Sequence, residues 1–353
     1  MSSQIFSHTC HSRMNEPEVF IKASGDTVTT KDRNVYKDLT AGLWNVSYGY
    51  NSHHFKDVIS NQISKIQYYS NHFWSTTESA EKASDLITKH FNMSGVYFSS
   101  GGGEGIAAAI YMAEFCLPGK TIVLAHNSGY HGCSKGITYV EDIIENINQD
   151  TLAVIIEPVM TTAGVVKVDD DFLLHLAKMR SIYEFVIIFD ETVTAFRSDL
   201  DHVIDPDIII CSKGLTNGLF PFAATLVNER IMHVIQNSPK PFHYGTTMSG
   251  HPIGCELMCR SIELYSKIDR KPIEDYFKNN IKLPFVNYGM LFGIKVSNGK
   301  EMRRQLKRKG FIVREGWNDN IILTPMYTIK TEDYKSFFSY LISLNNSMPN
   351  DLI

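Results

Sequence analysis

Six short and almost continuously apolar runs, VYFSS, TIVLA, LAVIIEP, FVIIFDE, DIIICSK and AATLV, punctuate the chain between residues 96 and 227. A strand that is apolar on both of its faces must be covered on both, and a parallel sheet with crossover helices does this. The stretches between and before the runs supply the helices. Helical spacing is present from Phe55 to Tyr69, from Ala80 to Phe91, from about Glu104 to Cys116 and from Asp170 to Tyr183. Alternation of this kind predicts a doubly wound α/β sheet. After a helix expected over Pro252 to Lys267, the pattern changes to GMLFGIKV, a basic helix around Met302 to Lys309, FIV, NIILTP and a last helix from Asp333 to Leu344. That mixture predicts a smaller α+β domain. The polar segment Arg270 to Pro284, interrupted by two prolines, reads as the boundary. The expected division is an N-terminal segment 1–50, a large domain 51–268, and a small domain 269–353.

A chain of 353 residues with 43% hydrophobic content can bury a large core. Its net charge of −4 and the absence of a basic block argue against a nucleic-acid surface. The six cysteines, Cys10, Cys116, Cys133, Cys211, Cys255 and Cys259, form no CxxC pair, so neither a zinc site nor a disulfide framework is indicated. This usage fits a reducing cytoplasm. No apolar run approaches the ~20 residues a spanning helix needs, and the first residues lack the pattern of an export signal. His8, Cys10 and His11 at the N-terminus could be metal ligands but read more simply as incidental.

Three strand ends carry residues with chemistry. SSGGGEG, Ser99 to Gly105, follows a strand and opens a helix, so its backbone N–H groups could cradle a phosphate; a tight structural turn is the alternative. The spacing is neither GxGxxG nor GxxxxGK[ST], which disfavours dinucleotide and P-loop readings. Asp190 closes VIIFD, where an acid can keep a heterocyclic nitrogen protonated, cap a helix or bind Mg²⁺. Lys213 follows DIIICS, either as a solvated loop residue or as a reactive amine at the carboxyl end of the sheet. A phosphate cradle, an acid for a ring nitrogen and a lysine are together the three handles of pyridoxal phosphate. Burial and nearby positive charge should lower the amine pKa of such a lysine.

With these motifs in this order, the stretch from about Asp38 to Thr328 resembles the class III (ω-type) aminotransferases of fold-type I. The resemblance implies a large domain with a mostly parallel seven-stranded sheet, pyridoxal 5'-phosphate as cofactor, and a homodimer. It puts phosphate donors at Gly102 and Gly103, a ring-stacking aromatic at Tyr130 in SGYHG, Glu157 in IIEPV, the ring-nitrogen acid at Asp190 and the Schiff-base lysine at Lys213. In GTTMSGHP it makes Thr247 the residue that reaches the neighbouring subunit's phosphate. In TAGLWNVSYGY it makes Trp44 a wall of the substrate pocket, with Tyr130 and His131 nearby. His131 fits either a substrate-orienting or a structural hydrogen-bonding role.

The departures bear on substrate. Thr192 and Val193 stand where the family has an aliphatic residue behind the ring and often a glutamine at the cofactor hydroxyl, and the connection from Phe196 to Lys213 is short. In NIILTPM, Ile322 occupies the position of an arginine that clamps a substrate α-carboxylate. Arg314 could replace it or be a solvated surface residue. The acceptor expected is a carbonyl compound whose carboxylate lies far from the reacting carbon or is absent, such as a larger biosynthetic intermediate. Phe220, Phe222 and Met248 read as core or pocket wall, and Lys307, Arg308 and Lys309 as the solvated end of a helix.

The expected activity is transfer of an amino group from an amine or amino acid donor to a carbonyl acceptor through a pyridoxamine phosphate form. Lys213 would move the proton and Asp190 would hold the ring nitrogen protonated. Two alternatives share the motifs: intramolecular transfer, as in the glutamate-1-semialdehyde aminomutases, and a non-catalytic binding protein on the same fold.

Overall fold

The computed structural model describes residues 17–347; His8, Cys10 and His11 lie outside them. The apolar runs assemble into one seven-stranded sheet. Its strands are Gly95–Ser99, Ile122–His126, Ile137–Val140, Thr151–Ile156, Val186–Asp190, Ile208–Cys211 and Ala223–Val227. Four consecutive pairings, from Ile208–Cys211 across to Ile137–Val140, are parallel, and Ala223–Val227 runs antiparallel to both of its neighbours. The alternation along Val186–Asp190 shows why the run is apolar throughout. Ile187 and Phe189 enter one core with Leu173 and Met258, while Val186 and Ile188 enter the opposite core with Ile106 and Ala109. All four of these strand residues are fully buried. Ile137–Val140 escapes sequence reading because it is an edge strand, half exposed and short.

A second sheet, in the order Phe285–Tyr288, Leu291–Lys295, Asn320–Leu323 and Arg314–Gly316, forms the C-terminal part with Gly299–Arg308 and Lys335–Ser347. The N-terminal strands Phe20–Ser24, Thr27–Thr30 and Val35–Asp38 make a third sheet, to which Phe311–Ile312 adds in parallel with Val35–Asp38. The first and last parts of the chain are therefore hydrogen-bonded to each other.

Three expectations need correction. The segment 270–284, read as polar and interrupted by prolines, is mostly helical: Lys271–Asn280 is a helix with Pro272 in its first turn, where proline is tolerated, and with Ile273 and Phe277 buried. Met248 is not core but 52% exposed, whereas Phe222 is core. Lys307 is not simply solvated; its ammonium pairs with Glu18 and stands over the Tyr36 ring.

Candidate functional site

Gly101 is extended, and no side chain caps the helix Gly102–Cys116 that follows it. The first N–H groups of a helix have no intrahelical acceptor and lie at the positive end of its dipole. A Cβ added at Gly103 would meet nothing within 4 Å, so open space lies beside these donors. At Gly102 a Cβ would come 3.0 Å from Thr192 Oγ1, and at Gly105 one would come 2.9 Å from Ile210 Cγ2. The glycines thus let this helix start close against the ends of two strands. Glu104 turns its carboxylate back to accept from the Ser100 N–H at 2.8 Å.

Asp190 ends its strand buried, with two polar contacts. His131 Nδ1 lies 2.9 Å from Asp190 Oδ2, and the Thr192 N–H donates to Oδ1 at 3.1 Å. Burial alone would raise the Asp190 carboxyl; the hydrogen bond and charge of His131 outweigh it and hold the group below the usual carboxylate range. Burial in turn works against the charged imidazole, but the bond to Asp190 wins and raises the His131 pKa. The two form a buried ion pair, with His131 2% exposed. His131 thus stands behind Asp190. Glu157, just past Thr151–Ile156, accepts from the Tyr130 N–H at 2.8 Å and the Thr161 N–H at 3.4 Å. Burial, with the Asp190 charge added, pushes its carboxyl up to about 7.

Lys213 opens a tight turn, Lys213–Thr216, with a positive φ of 43°, a conformation that is strained for a side chain of this kind. Among the described residues no carboxylate forms an ion pair with it. Burial pulls its amine down to about 8, Asp190 and Glu157 oppose this, and the charges of Arg197 and Arg314 assist it. Its nitrogen lies 4.5 Å from the centroid of the Trp44 ring.

Trp44 reaches that place on an unusual backbone. Ala41, Gly42, Leu43 and Trp44 all have positive φ, between 49° and 66°, which makes one left-handed turn. Each non-glycine residue in that conformation costs roughly 1–2 kcal/mol, so the surroundings must hold it. Asp38 accepts from the Thr40 N–H, the Thr40 hydroxyl, the Gly42 N–H and the Tyr50 hydroxyl, all at 2.7–2.8 Å. Arg197, 1% exposed, donates through Nη2 to Trp44 O at 2.8 Å and Ser47 Oγ at 2.9 Å. Asn217 ties the same segment to the lysine turn by accepting from the Tyr48 N–H and donating to Gly49 O. The Trp44 ring then packs with Val159, Val165, Val193, Leu291 and Ile322.

Of the residues singled out in the sequence, Gly102, Thr192, Asp190 and His131 are joined by direct contacts, as are Lys213, Trp44 and Val193; Glu157 and Tyr130 share a hydrogen bond. Thr247 stands apart: it is exposed, and its carbonyl accepts from the Tyr68 hydroxyl at 2.6 Å. Asp38, Arg197 and Asn217 went unnoticed. The arginine after the apolar TVTAF was a usable signal, because a charge adjoining a buried run needs a buried partner.

A model of the family described as aminotransferase class-III matches residues 11–138 and 133–344. The acetylornithine aminotransferase of Archaeoglobus fulgidus is 26% identical over 334 residues, covering 83% of this chain and 86% of that protein. The omega-amino acid–pyruvate aminotransferase of Pseudomonas putida is 22% identical over 422 residues, covering 95% and 93%. Among solved structures, an amine transaminase from an uncultivated Pseudomonas species superposes with a TM-score of 0.85 at 22% identity, covering 98% of this chain and 99% of that one. A transaminase from the marine bacterium Virgibacillus gives 0.87 at 18% identity, with 98% of both chains covered.

Proposed function

The chain belongs to the class-III aminotransferases, and from that premise we propose how its own residues carry the reaction. It is a pyridoxal-phosphate-dependent enzyme that moves an amino group from a donor to a carbonyl acceptor. The residues present fit the cofactor: helix N–H groups beside the open space at Gly103, an acid kept ionised at Asp190, and an amine without an ion pair at Lys213. In our reading Gly102 and Gly103 hold the phosphate, Asp190 keeps the ring nitrogen protonated, and Tyr130, Thr192 and Val193 border the ring. Once bound, the cofactor supplies an electron sink for charge left on the carbon that carries the amine.

The remaining work belongs to the protein. Lys213 Nζ takes the proton from that carbon and returns one in the reverse direction, and its lowered pKa leaves a useful fraction of free amine near neutrality. His131 keeps Asp190 ionised and fixes its orientation. Trp44 walls the site above the amine, and Val193 and Ile322 make the adjoining surface apolar. The observation that carries this reading is the Lys213 amine itself, poised near Asp190 and Glu157 but bonded to neither.

We include a homodimer in the proposal. Phe73 and Trp74 project at 96% and 107% exposure from a strained stretch with φ of 57° and 63°, and Met248 beside Thr247 is also exposed. Large apolar side chains in such positions call for a covering surface, and a second copy that places Thr247 at the partner's phosphate site would supply it. Sedimentation at micromolar concentration tests this, and a monomer at saturating cofactor would overturn it. The division at residues 50 and 268 belongs to the same proposal. So does a cytoplasmic location, which the unpaired Cys116, Cys133, Cys211, Cys255 and Cys259 favour and fractionation would test.

The deciding experiment is the visible spectrum of the protein with pyridoxal phosphate, before and after a panel of amines, for wild type and Lys213→Ala. A yellow band that one class of amine bleaches, absent in the variant, is the expected result. No band in the wild type at saturating cofactor would sink the assignment of Lys213. Net transfer between two molecules, rather than product from one substrate alone, separates the aminotransferase from an intramolecular mutase.

A further inference from the structure

We propose that the cavity behind His131 is a second binding site, for an organic cation with an apolar body and a hydrogen-bond acceptor at its inner end, and that its occupant tightens the hold of Asp190 on the cofactor. The coupling rests on the reading of Asp190 given above; the site itself does not.

The cavity follows from how this end of the sheet is covered. The neighbouring strands Ile122–His126 and Thr151–Ile156 bring His126, Ile156 and the following Glu157 to its wall. Ile143, at the start of Ile143–Asn146, and Val168 and Phe172, around the start of Asp170–Tyr183, line it with hydrocarbon, and Met160 adds to this. It encloses about 290 Å³, at the small end of the range for ligand sites. Neither Asp190 nor Lys213 is in its wall. His131 is the partition between the two sites. Its Nδ1 meets Asp190, so Nε2, at the other edge of the ring, is turned away from the cofactor acid. Gly129 shares the cavity wall with His131, and a Cβ added there would lie 2.9 Å from Nε2. Among the described residues Nε2 has no hydrogen-bond partner, although the His131 side chain is only 1% exposed. Paired with Asp190, this imidazole carries an N–H on both nitrogens, and a buried N–H calls for an acceptor.

The outer wall selects for positive charge. Glu141, Asp142 and Asp169 are exposed where they line the cavity. Asp142 and Asp169 also cap helices, accepting from the Glu145 N–H at 3.1 Å and the Asp171 N–H at 2.7 Å. Glu141 has neither an ion pair nor a hydrogen bond among the described residues. Lys167 lines the same cavity, but Asp170 takes up its ammonium at 2.8 Å. The excess charge is therefore negative. Among the described residues no three His, Cys, Asp or Glu side chains are grouped to hold a metal ion, and hydrocarbon separates the acids from His131. Those walls match an organic cation. An acceptor that receives the Nε2 N–H favours the doubly protonated ring, which keeps Nδ1–H on Asp190. Occupant and cofactor should then strengthen each other, by the same factor in both directions.

The test is calorimetry with N,N,N-trimethyltyramine, which has no free amine to react with pyridoxal phosphate, on apoprotein and holoenzyme. One molecule should bind per chain, and 4-hydroxyphenylacetate, of similar shape but anionic, should not. Trimethyl(phenethyl)ammonium, which lacks the hydroxyl, should bind about 3–10-fold more weakly. Glu141→Lys should weaken the cation about tenfold, and Val168→Phe, which fills the cavity, should abolish binding. The holoenzyme should bind the cation several-fold more tightly than the apoprotein does. No binding to either form would overturn the proposal, as would binding that both variants leave unchanged or that the anion matches. Binding lost on adding pyridoxal phosphate would put the cation in the lysine pocket and overturn it too. Equal affinity for the two forms would overturn the coupling through His131. If the protein takes up no pyridoxal phosphate, the aminotransferase reading fails, and binding to the apoprotein still decides the site.

Discussion

The Lys213 side-chain nitrogen stands 4.5 Å from the centroid of the Trp44 ring, although 169 residues separate the two in the chain by the difference of their numbers. An aromatic face favours an ammonium over a free amine, yet burial dominates and brings the amine down to about 8. The free base, which is the reactive form, therefore accumulates as the pH rises through about 8 instead of through the usual value near 10.4. The rate at which the apoenzyme captures pyridoxal phosphate should reach half its maximum near pH 8, after correction for the titration of the cofactor. A stopped-flow pH series checks this, and a midpoint close to 10 would refute the shift.

His131 and Asp190 are expected to behave as one unit. His131→Phe leaves Asp190 buried without its main partner, and breaking such a pair costs about 3–5 kcal/mol. Cofactor affinity should drop and the Asp190 carboxyl should titrate at higher pH, so activity would be lost on the acid side first, as Asp190 takes up a proton and no longer offers a charge to the ring nitrogen. His131→Asn, which restores a donor without the charge, should recover part of the affinity. Equal behaviour of the two variants in a cofactor titration across pH would show the role to be one of packing alone.

Gly103→Ala separates fold from cofactor. An added Cβ there meets no protein atom within 4 Å, so the apoprotein should melt within about 2 °C of wild type. The same methyl group intrudes on the space beside the helix N–H groups, and pyridoxal phosphate should bind roughly tenfold or more weakly. Gly102→Ala, which presses on Thr192 at 3.0 Å, should lower the apoprotein melting temperature as well. Differential scanning with and without cofactor reads both effects.

Among the described residues Arg197 forms no ion pair, so its ionisation is opposed by burial, which Tyr327, Tyr48 and the charge of Asp38 offset only in part. Arg197→Met, similar in bulk and apolar, should therefore change stability by no more than about 1–2 kcal/mol. It also removes the donor that holds Trp44 O and Ser47 Oγ, and the left-handed turn should relax. KM for the donor should rise several-fold more than kcat falls, and the Trp44 contribution to fluorescence should shift toward a wetter environment. Kinetics indistinguishable from wild type would mean that Asp38 holds the turn unaided.

The expected fold, family and cofactor could be reached from local pattern because their signals are local. A strand apolar on both faces announces a covered parallel sheet, and a glycine run after a strand exposes helix N–H groups whatever surrounds it. The same reasoning went astray at 270–284, where proline suggested a break and tertiary burial of Ile273 and Phe277 made a helix instead. Two relationships were decided only by folding: the His131–Asp190 pair and the clamp of Arg197 on the Trp44 turn. Each joins residues from different elements, and its strength depends on burial, which one-dimensional spacing does not encode. The left-handed turn at 41–44 is the clearest case: local preference opposes it at every residue but Gly42, and Asp38 and Arg197 hold it from outside. The chemistry available to this chain is thus written in its motifs, while the charge state of Lys213 and the wall above it follow from what the tertiary structure buries beside them.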